Sequence, residues 1–216
     1  ADREPDRQQN TDAEYPATNG IVRIGDEVIL YTTRTGDTIS GLTRGYYATE
    51  VSDHDEDDAV QLCLEYASQG VASIDYNLLT EYAGVDPSYI NLPEWQAEDS
   101  NAFITTYSTL ITEPTGVQEL LKEFAQSAPH YLYWDERTNK IRFTALKPPP
   151  NDAPTLTYEG NFIEGSTAVK DMQDMRVSRV LVSYGIINPT KDLEEPSNYR
   201  ASYVRIDNVQ ETNYGQ

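Results

Sequence analysis

The chain has 216 residues, 38% of them hydrophobic, with 36 acidic against 16 basic side chains and a formal charge of −20. The length suits one large or two small domains. The charge repels a phosphate backbone and an anionic membrane surface alike, which argues against sequence-specific nucleic-acid binding and against lipid-surface binding. Without an apolar run long enough to cross a bilayer, no membrane insertion by this segment is expected.

Residues 1–19 are polar and hold two prolines, which predicts a flexible N-terminal arm. From Gly20 the stretch "GIVRIGDEVILYTTRTGDTISGLTRG" alternates β-branched residues and is cut by the dipeptides Gly25-Asp26 and Gly36-Asp37. It predicts a three-stranded meander within a β-module over 20–66. "SDHDEDD" follows, with Asp53, Asp55 and Asp57 at alternate positions. A calcium hand would need Gly at the sixth position and Glu at the twelfth, where this chain has Asp58 and Leu64. The segment therefore reads as a wet loop without structural calcium, and His54 as an exposed loop residue. "AVQLCLEYA" then places Val60, Leu62, Leu64 and Tyr66 on one face of a single strand. Cys63 is the only cysteine, so no intrachain disulfide is possible; it reads as a small strand residue.

Residues 67–147 predict a helix-plus-hairpin domain. "SIDYNLLTEYAG" spaces Ile74, Leu78 and Tyr82 at helical intervals, with Ser73 as the cap and Asp75 facing the helix dipole. "NLPEWQAED" predicts a short helix capped by Asn91, and "ITTYSTLITE" a strand. "TGVQELLKEFAQSAP" sets Val117, Leu120, Leu121 and Phe124 on one helical face, with Thr115 and Gln118 as a capping box. That face is expected to pack on the hairpin formed by "YLYWDERTNKIRFTAL". His130, just after Pro129, reads as an ordinary boundary residue, and Trp95 and Trp134 as helix–sheet contacts. Lys140, Arg142 and Lys147 form a mild basic stripe facing a neighbouring chain or solvent.

"KPPPNDAP" punctuates the chain as a Pro-rich linker over 148–154. Beyond it, "TLTYEGNF", "RVSRVLVSYGI" and "ASYVRID" predict strands of a C-terminal β-segment over 155–216. The whole predicts an α+β, β-rich fold of antiparallel hairpins and a meander with two to three short packed helices. The start at Ala1 rather than Met suggests a processed product or an excerpt of a longer polypeptide. Neither zinc-ligand spacing nor a nucleophile elbow, phosphate loop or dinucleotide fingerprint occurs, so no catalytic, cofactor or metal residues are assigned.

Two stretches carry a resemblance. Ile24-Gly25-Asp26-Glu27, Tyr31-Thr32, Gly36-Asp37-Thr38, Gly41-Leu42-Thr43-Arg44-Gly45 and His54 resemble a β-hairpin module of structural proteins of tailed bacteriophages. The helix "GVQELLKE" and the aromatic hairpin after it are similar to tail-hub or tail-tip proteins of long-tailed phages. The two stretches cover most of 20–147. The resemblance implies a structural virion component, trimeric rings, other phage tail proteins as partners, residence in the tail after assembly in the host cytoplasm, and no catalysis. The alternatives are a tail-borne cell-wall-degrading enzyme module, which needs two convergent carboxylates, and a carbohydrate- or receptor-binding β-module, which needs an exposed Tyr and Trp patch. In a hub, a strongly acidic passage would keep ejected DNA from sticking; the alternative is that the charge only keeps the part soluble before assembly.

Overall fold

A computed structural model describes residues 15–148, 153–163, 165 and 177–214. Its contacts divide the chain into two units, Ala1–Leu146 with Ile187–Asn198, and Lys147–Ile186 with Tyr199–Gln216. The fold is α+β and β-rich, with antiparallel sheets.

The first unit opens with a four-stranded antiparallel sheet. Strands β1 (Thr18–Ile24), β2 (Glu27–Thr35) and β3 (Thr38–Ser40) are joined by two-residue turns at the two Gly-Asp dipeptides, as the meander reading expects. A fourth strand, β4 (Val60–Leu62), pairs with the open edge of β1. Period-2 alternation puts apolar residues on both faces, and both are covered. Ile21 and Val28 pack with Cys63 and Leu110 on one face, while Val22, Ile29 and Tyr31 cluster on the other. The Tyr31 ring lies directly over Gly20, where a Cβ would come within 2.1 Å of it, and its hydroxyl donates to the Pro16 carbonyl at 2.8 Å. Gly20 is thus the residue that lets the tyrosine close this face.

The strand expected over Val60–Tyr66 is broken. Cys63 N donates to Ile21 O at 2.9 Å, and the chain then leaves the first sheet. It continues as β5 (Leu64–Gln69), which pairs with β6 (Tyr107–Ile111) across a register shift between Tyr66 and Gln69. One apolar run therefore serves two sheets. The buried residues change parity across the break, Cys63 in the first sheet and Tyr66 in the second, while Val60 is exposed, and continuous alternation in the sequence does not reveal that change.

Helix α1 (Val71–Asn77) begins at Gly70 rather than at Ser73, and its C-terminal end passes into a π turn over Leu78–Tyr82. Val71, Ile74 and Leu78 are fully buried, but Tyr82 is exposed because the wider turn rotates it off the stripe. Helix α2 (Leu92–Ala102) starts at Asn91, whose side chain bonds the Glu94 carboxylate at 3.1 Å instead of capping the backbone. Helix α3 (Val117–Ser127) starts at Gly116, and the expected Thr115 cap is not made: Thr115 Oγ1 donates to Glu113 O. The α3 stripe packs mainly on Tyr66, Ile74 and Leu78, with Leu120 buried among them. Only Phe124 also reaches the cluster that holds the hairpin residue Phe143. The expected packing on the hairpin therefore holds for Phe124, while Val117, Leu120 and Leu121 pack instead with Tyr66 of β5, Ile74 of α1 and Leu78 of the π turn.

Strands β7 (His130–Asp135) and β8 (Lys140–Ala145) form the expected hairpin. Trp95 on α2 fills the helix–sheet contact and donates its indole N–H to Ile141 O at 3.1 Å. Trp134 does not fill such a contact. It is half exposed and meets Tyr89 edge-on at 5.5 Å.

In the second unit the strand expected in "TLTYEGNF" is replaced by a short helix, α4 (Tyr158–Asn161). Strands β9 (Arg179–Ile186) and β10 (Tyr199–Ile206) form a regular antiparallel hairpin, followed by helix α5 (Asn208–Tyr214). The loop joining β9 to β10 belongs to the first unit. There the Asn198 side chain clasps the Asn188 backbone, its Oδ1 accepting from Asn188 N at 3.0 Å and its Nδ2 donating to Asn188 O at 2.9 Å, and Thr190 Oγ1 donates to Asp26 O at 3.1 Å.

Candidate functional site

Two buried carboxylates organise the first unit. Glu27 opens β2 with its side chain fully buried. Arg44 binds it in a bidentate fork, Nε to Oε1 and Nη2 to Oε2, each at 2.6 Å. The Gly45 amide donates to Oε1 at 3.0 Å and the Ser52 amide to Oε2 at 3.1 Å. His54 Nε2 lies 2.9 Å from Oε2. Arg44 also donates to the Ser52 carbonyl. One carboxylate thereby gathers three separate pieces of the chain: the head of β2, the turn at 44–45 and the loop at 52–54. The Arg44 guanidinium, with help from the two amides and His54, outweighs the cost of burial and holds the Glu27 carboxyl far below its usual range.

Gly45 is required for that convergence. Its φ is +63°, and a Cβ there would meet the Thr49 carbonyl at 2.9 Å. Thr49 in turn accepts the Val28 amide at 3.0 Å, which seals the start of β2 from the other side.

His54 is thus not the exposed loop residue that the sequence suggests. Its Nδ1 lies 3.5 Å from Asp58, whose carboxylate also accepts the Asp55 amide at 2.9 Å. The acidic loop is folded by its own side chains, and Asp58, which stands where a calcium hand needs Gly, is one of the holding residues. Among the described residues, no group of three or more His, Cys, Asp or Glu side chains is placed to hold a metal ion.

The second carboxylate is Asp75 on α1. Asp75 Oδ2 lies 2.7 Å from His130 Nε2, and both side chains are almost completely buried. His130 Nδ1 lies 2.6 Å from the Ala128 carbonyl, which only accepts, so Nδ1 carries a proton. The imidazole stacks on Phe143 at 4.6 Å. Asp99 of α2 is buried nearby, accepts the Ala72 amide at 3.4 Å, and sits so tightly against Gly70 that a Cβ there would come within 2.2 Å of its Oδ2. Burial pushes the Asp75 and Asp99 carboxyls up. Burial alone would push the His130 imidazole down, but the Asp75 hydrogen bond and charge and the Ala128 carbonyl outweigh it, and the net direction is up. Both shifts favour keeping a proton between Asp75 and His130. Asp75 Oδ1 has no protein partner.

Both carboxylates are committed to partners within the first unit. Every lone-pair direction of Glu27 is taken by a donor, which leaves none for a reacting proton. Both His130 nitrogens are spent, Nε2 on Asp75 and Nδ1 on a backbone carbonyl, so neither faces a nucleophile as in a catalytic triad. A cavity of about 140 Å³ opens between β5, the π turn and α3, lined by Leu64, Leu78, Ile111, Val117 and Leu120. The one acid on its wall, Glu113, is paired with Arg23 at 2.8 Å.

Of the remaining polar residues singled out in the sequence, Arg142 is committed within the chain to Glu94 and Asp135, and Lys140 to the Ser88 carbonyl. The basic stripe is in that respect an internal brace. The pattern missed both nodes. A signal for Asp75 was available, because positions 71, 74, 75 and 78 form one buried stripe and an acid on such a stripe needs a buried partner.

Comparison of the chain with protein-family models, with curated proteins and with solved structures finds no match.

Proposed function

We propose that the protein is a structural component of a bacteriophage tail hub or tip, forming a ring at the distal end of the tail tube and linking it to receptor-binding parts. The observation that carries this reading is the convergence on Glu27. Glu27, Arg44, Gly45 and His54 all lie in the segments that resemble the phage hairpin module, and they meet at one saturated ion-pair node. A motif whose polar residues are spent on holding loops to a strand is explained by a demand on shape, which is what an assembly part needs. The cell-wall-degrading alternative wants two accessible carboxylates flanking a bond. The two acids raised by burial, Asp75 and Asp99, are both closed off from solvent.

The receptor-binding reading keeps one favourable observation. Tyr131 and Tyr133 project from the outer face of β7 with ring centres 5.7 Å apart, and each is nearly half exposed. Exposed aromatic patches mark binding surfaces. Such a surface is compatible with a tail component that contacts a cell.

Purified phage particles, disrupted and resolved by mass spectrometry of their tail fraction, test the proposal. The expected result is the chain at a fixed, low copy number per tail. Its absence from tails, or lysis of purified peptidoglycan by the isolated chain, would overturn it.

A further inference from the structure

The cavity of about 140 Å³ between β5, the π turn and α3 has aliphatic walls, among them Leu64, Leu78, Ile111, Val117 and Leu120. It opens to solvent past Tyr82 and the Glu113 side chain, which are 55% and 72% exposed. An apolar space of about 150 Å³ takes one benzene-sized group and stays dry when empty. The π turn keeps this space open. In a regular α-helix Tyr82 would stand one turn past Leu78 on the same face, over the stripe that walls the cavity. The wider turn over Leu78–Tyr82 sets the ring aside at the rim instead. Turns of this kind recur at functional sites. The described residues of the first unit do not fill the space, and residues 1–14, which precede them, carry no apolar side chain larger than alanine or proline.

We infer that the cavity receives one apolar side chain, of leucine or phenylalanine size, from a different protein, on a segment with Lys or Arg to either side of that anchor. Volume sets the anchor, because the space holds a single such group. Charge sets its flanks. The segments that form the walls, residues 61–64, 78–82 and 111–120, carry Glu81, Glu113 and Glu119 and no Lys, Arg or His. All three glutamates are exposed. Arg23 reaches this side from β1, but it is already paired with Glu113 and Asp26. A basic segment therefore meets complementary charge around the mouth while its anchor leaves water. The same acids disfavour an anionic lipid, and a second copy would bring another −20 to the contact. The inference goes beyond the tail reading and does not rest on it.

Methyl-resolved NMR titration of the full chain with the capped peptide Lys-Arg-Leu-Arg-Lys, at about physiological salt, tests it. The peptide should shift the methyl signals of Leu64, Ile111 and Val117 and bind with a Kd below about 1 mM. The same peptide with alanine at its centre should bind at least about tenfold more weakly, since the difference is the burial of one apolar group. A leucine peptide flanked by glutamates should also bind at least about tenfold more weakly. Val117→Phe fills the space and should abolish the titration, with the fluorescence of buried Trp95 unchanged. If that variant disturbs folding, Glu81→Gln with Glu119→Gln leaves the core alone and should weaken the leucine peptide at least about threefold, with a smaller salt dependence. No shift at these methyls at millimolar peptide, equal binding of the leucine and alanine peptides, or binding that survives both variants would overturn the inference. Self-association of the chain that Val117→Phe abolishes would give the cavity to a second copy and overturn it. Binding that appears only after residues 1–14 or 166–176 are deleted would give the cavity to the chain itself, with the same consequence.

Discussion

Arg44 grips Glu27 with the Nε and Nη2 of one guanidinium edge, each at 2.6 Å, across seventeen residues of chain, and the acidic loop hangs from the same carboxylate through the Ser52 amide and His54. Breaking a buried pair from one side strands its partner. Glu27→Gln keeps the shape and removes the charge, and it should cost about 3 kcal/mol, the lower end for such pairs because Arg44 reaches solvent. Arg44→Met should cost less, since the carboxylate keeps its amide donors. A double-mutant cycle by urea unfolding should give a coupling of about 1–3 kcal/mol. A coupling near zero would remove Glu27 as an organising residue.

The two nodes give the stability–pH profile two limbs of opposite origin. Glu27 has a carboxyl depressed from 4.5, so its contribution is complete above that pH and is lost as pH falls below it. His130 is raised from 6.5, so its contribution is complete below that pH and is lost as pH rises through the folded value. The upward shift of Asp75 has the same sense, because the native pair holds a proton that the unfolded residues release. Thermal unfolding followed against pH should show stability falling on both sides. Glu27→Gln should flatten the acid limb, and His130→Gln the alkaline one. Loss of the alkaline limb in Glu27→Gln, with none in His130→Gln, would reverse the assignment.

These nodes also mark where the sequence was readable. The turns at Gly25-Asp26 and Gly36-Asp37, the three helices of the first unit and the β7–β8 hairpin follow from period and punctuation, because each is set by neighbours in the chain. The switch at Cys63 does not, since Val60–Tyr66 alternates continuously and the break depends on which strands arrive from elsewhere. The helix starts were misplaced at Ser73 and Thr115 because capping residues stood near glycines that start the helices without a side-chain bond. His54 and His130 were read as bland because their partners lie 27 and 55 residues away. Long-range pairing of single polar residues leaves no local period to detect.

Packing of α3 on β5 and α1 makes a graded prediction. Leu120 is buried among Tyr66, Ile74 and Leu78, and Leu120→Ala should cost about 2–5 kcal/mol. Phe124 is half-buried, so Phe124→Ala should fall at or below the lower end of its usual 3–5 kcal/mol range. Tyr131→Ala, on the exposed face of β7, should stay within about 0.5 kcal/mol. Denaturant unfolding orders the three, and a Tyr131 effect larger than that of Leu120 would contradict the packing.

Cys63 should be chemically quiet. Burial pushes its thiol up to about 11, so little thiolate exists at neutral pH. A thiol-specific disulfide reagent is expected to label it only as the chain unfolds, at a rate that rises with urea. Immediate labelling in native buffer would place Cys63 at the surface and undo the β4–β5 switch.

The central claim is the position in a phage tail. Gold-labelled antibody against this chain, applied to intact particles and viewed by electron microscopy, tests it most directly. The account predicts gold at the distal end of the tail and nowhere along the tube or capsid. Gold on the capsid, gold distributed along the tube, or no gold on particles whose disrupted tails also fail to react would contradict it.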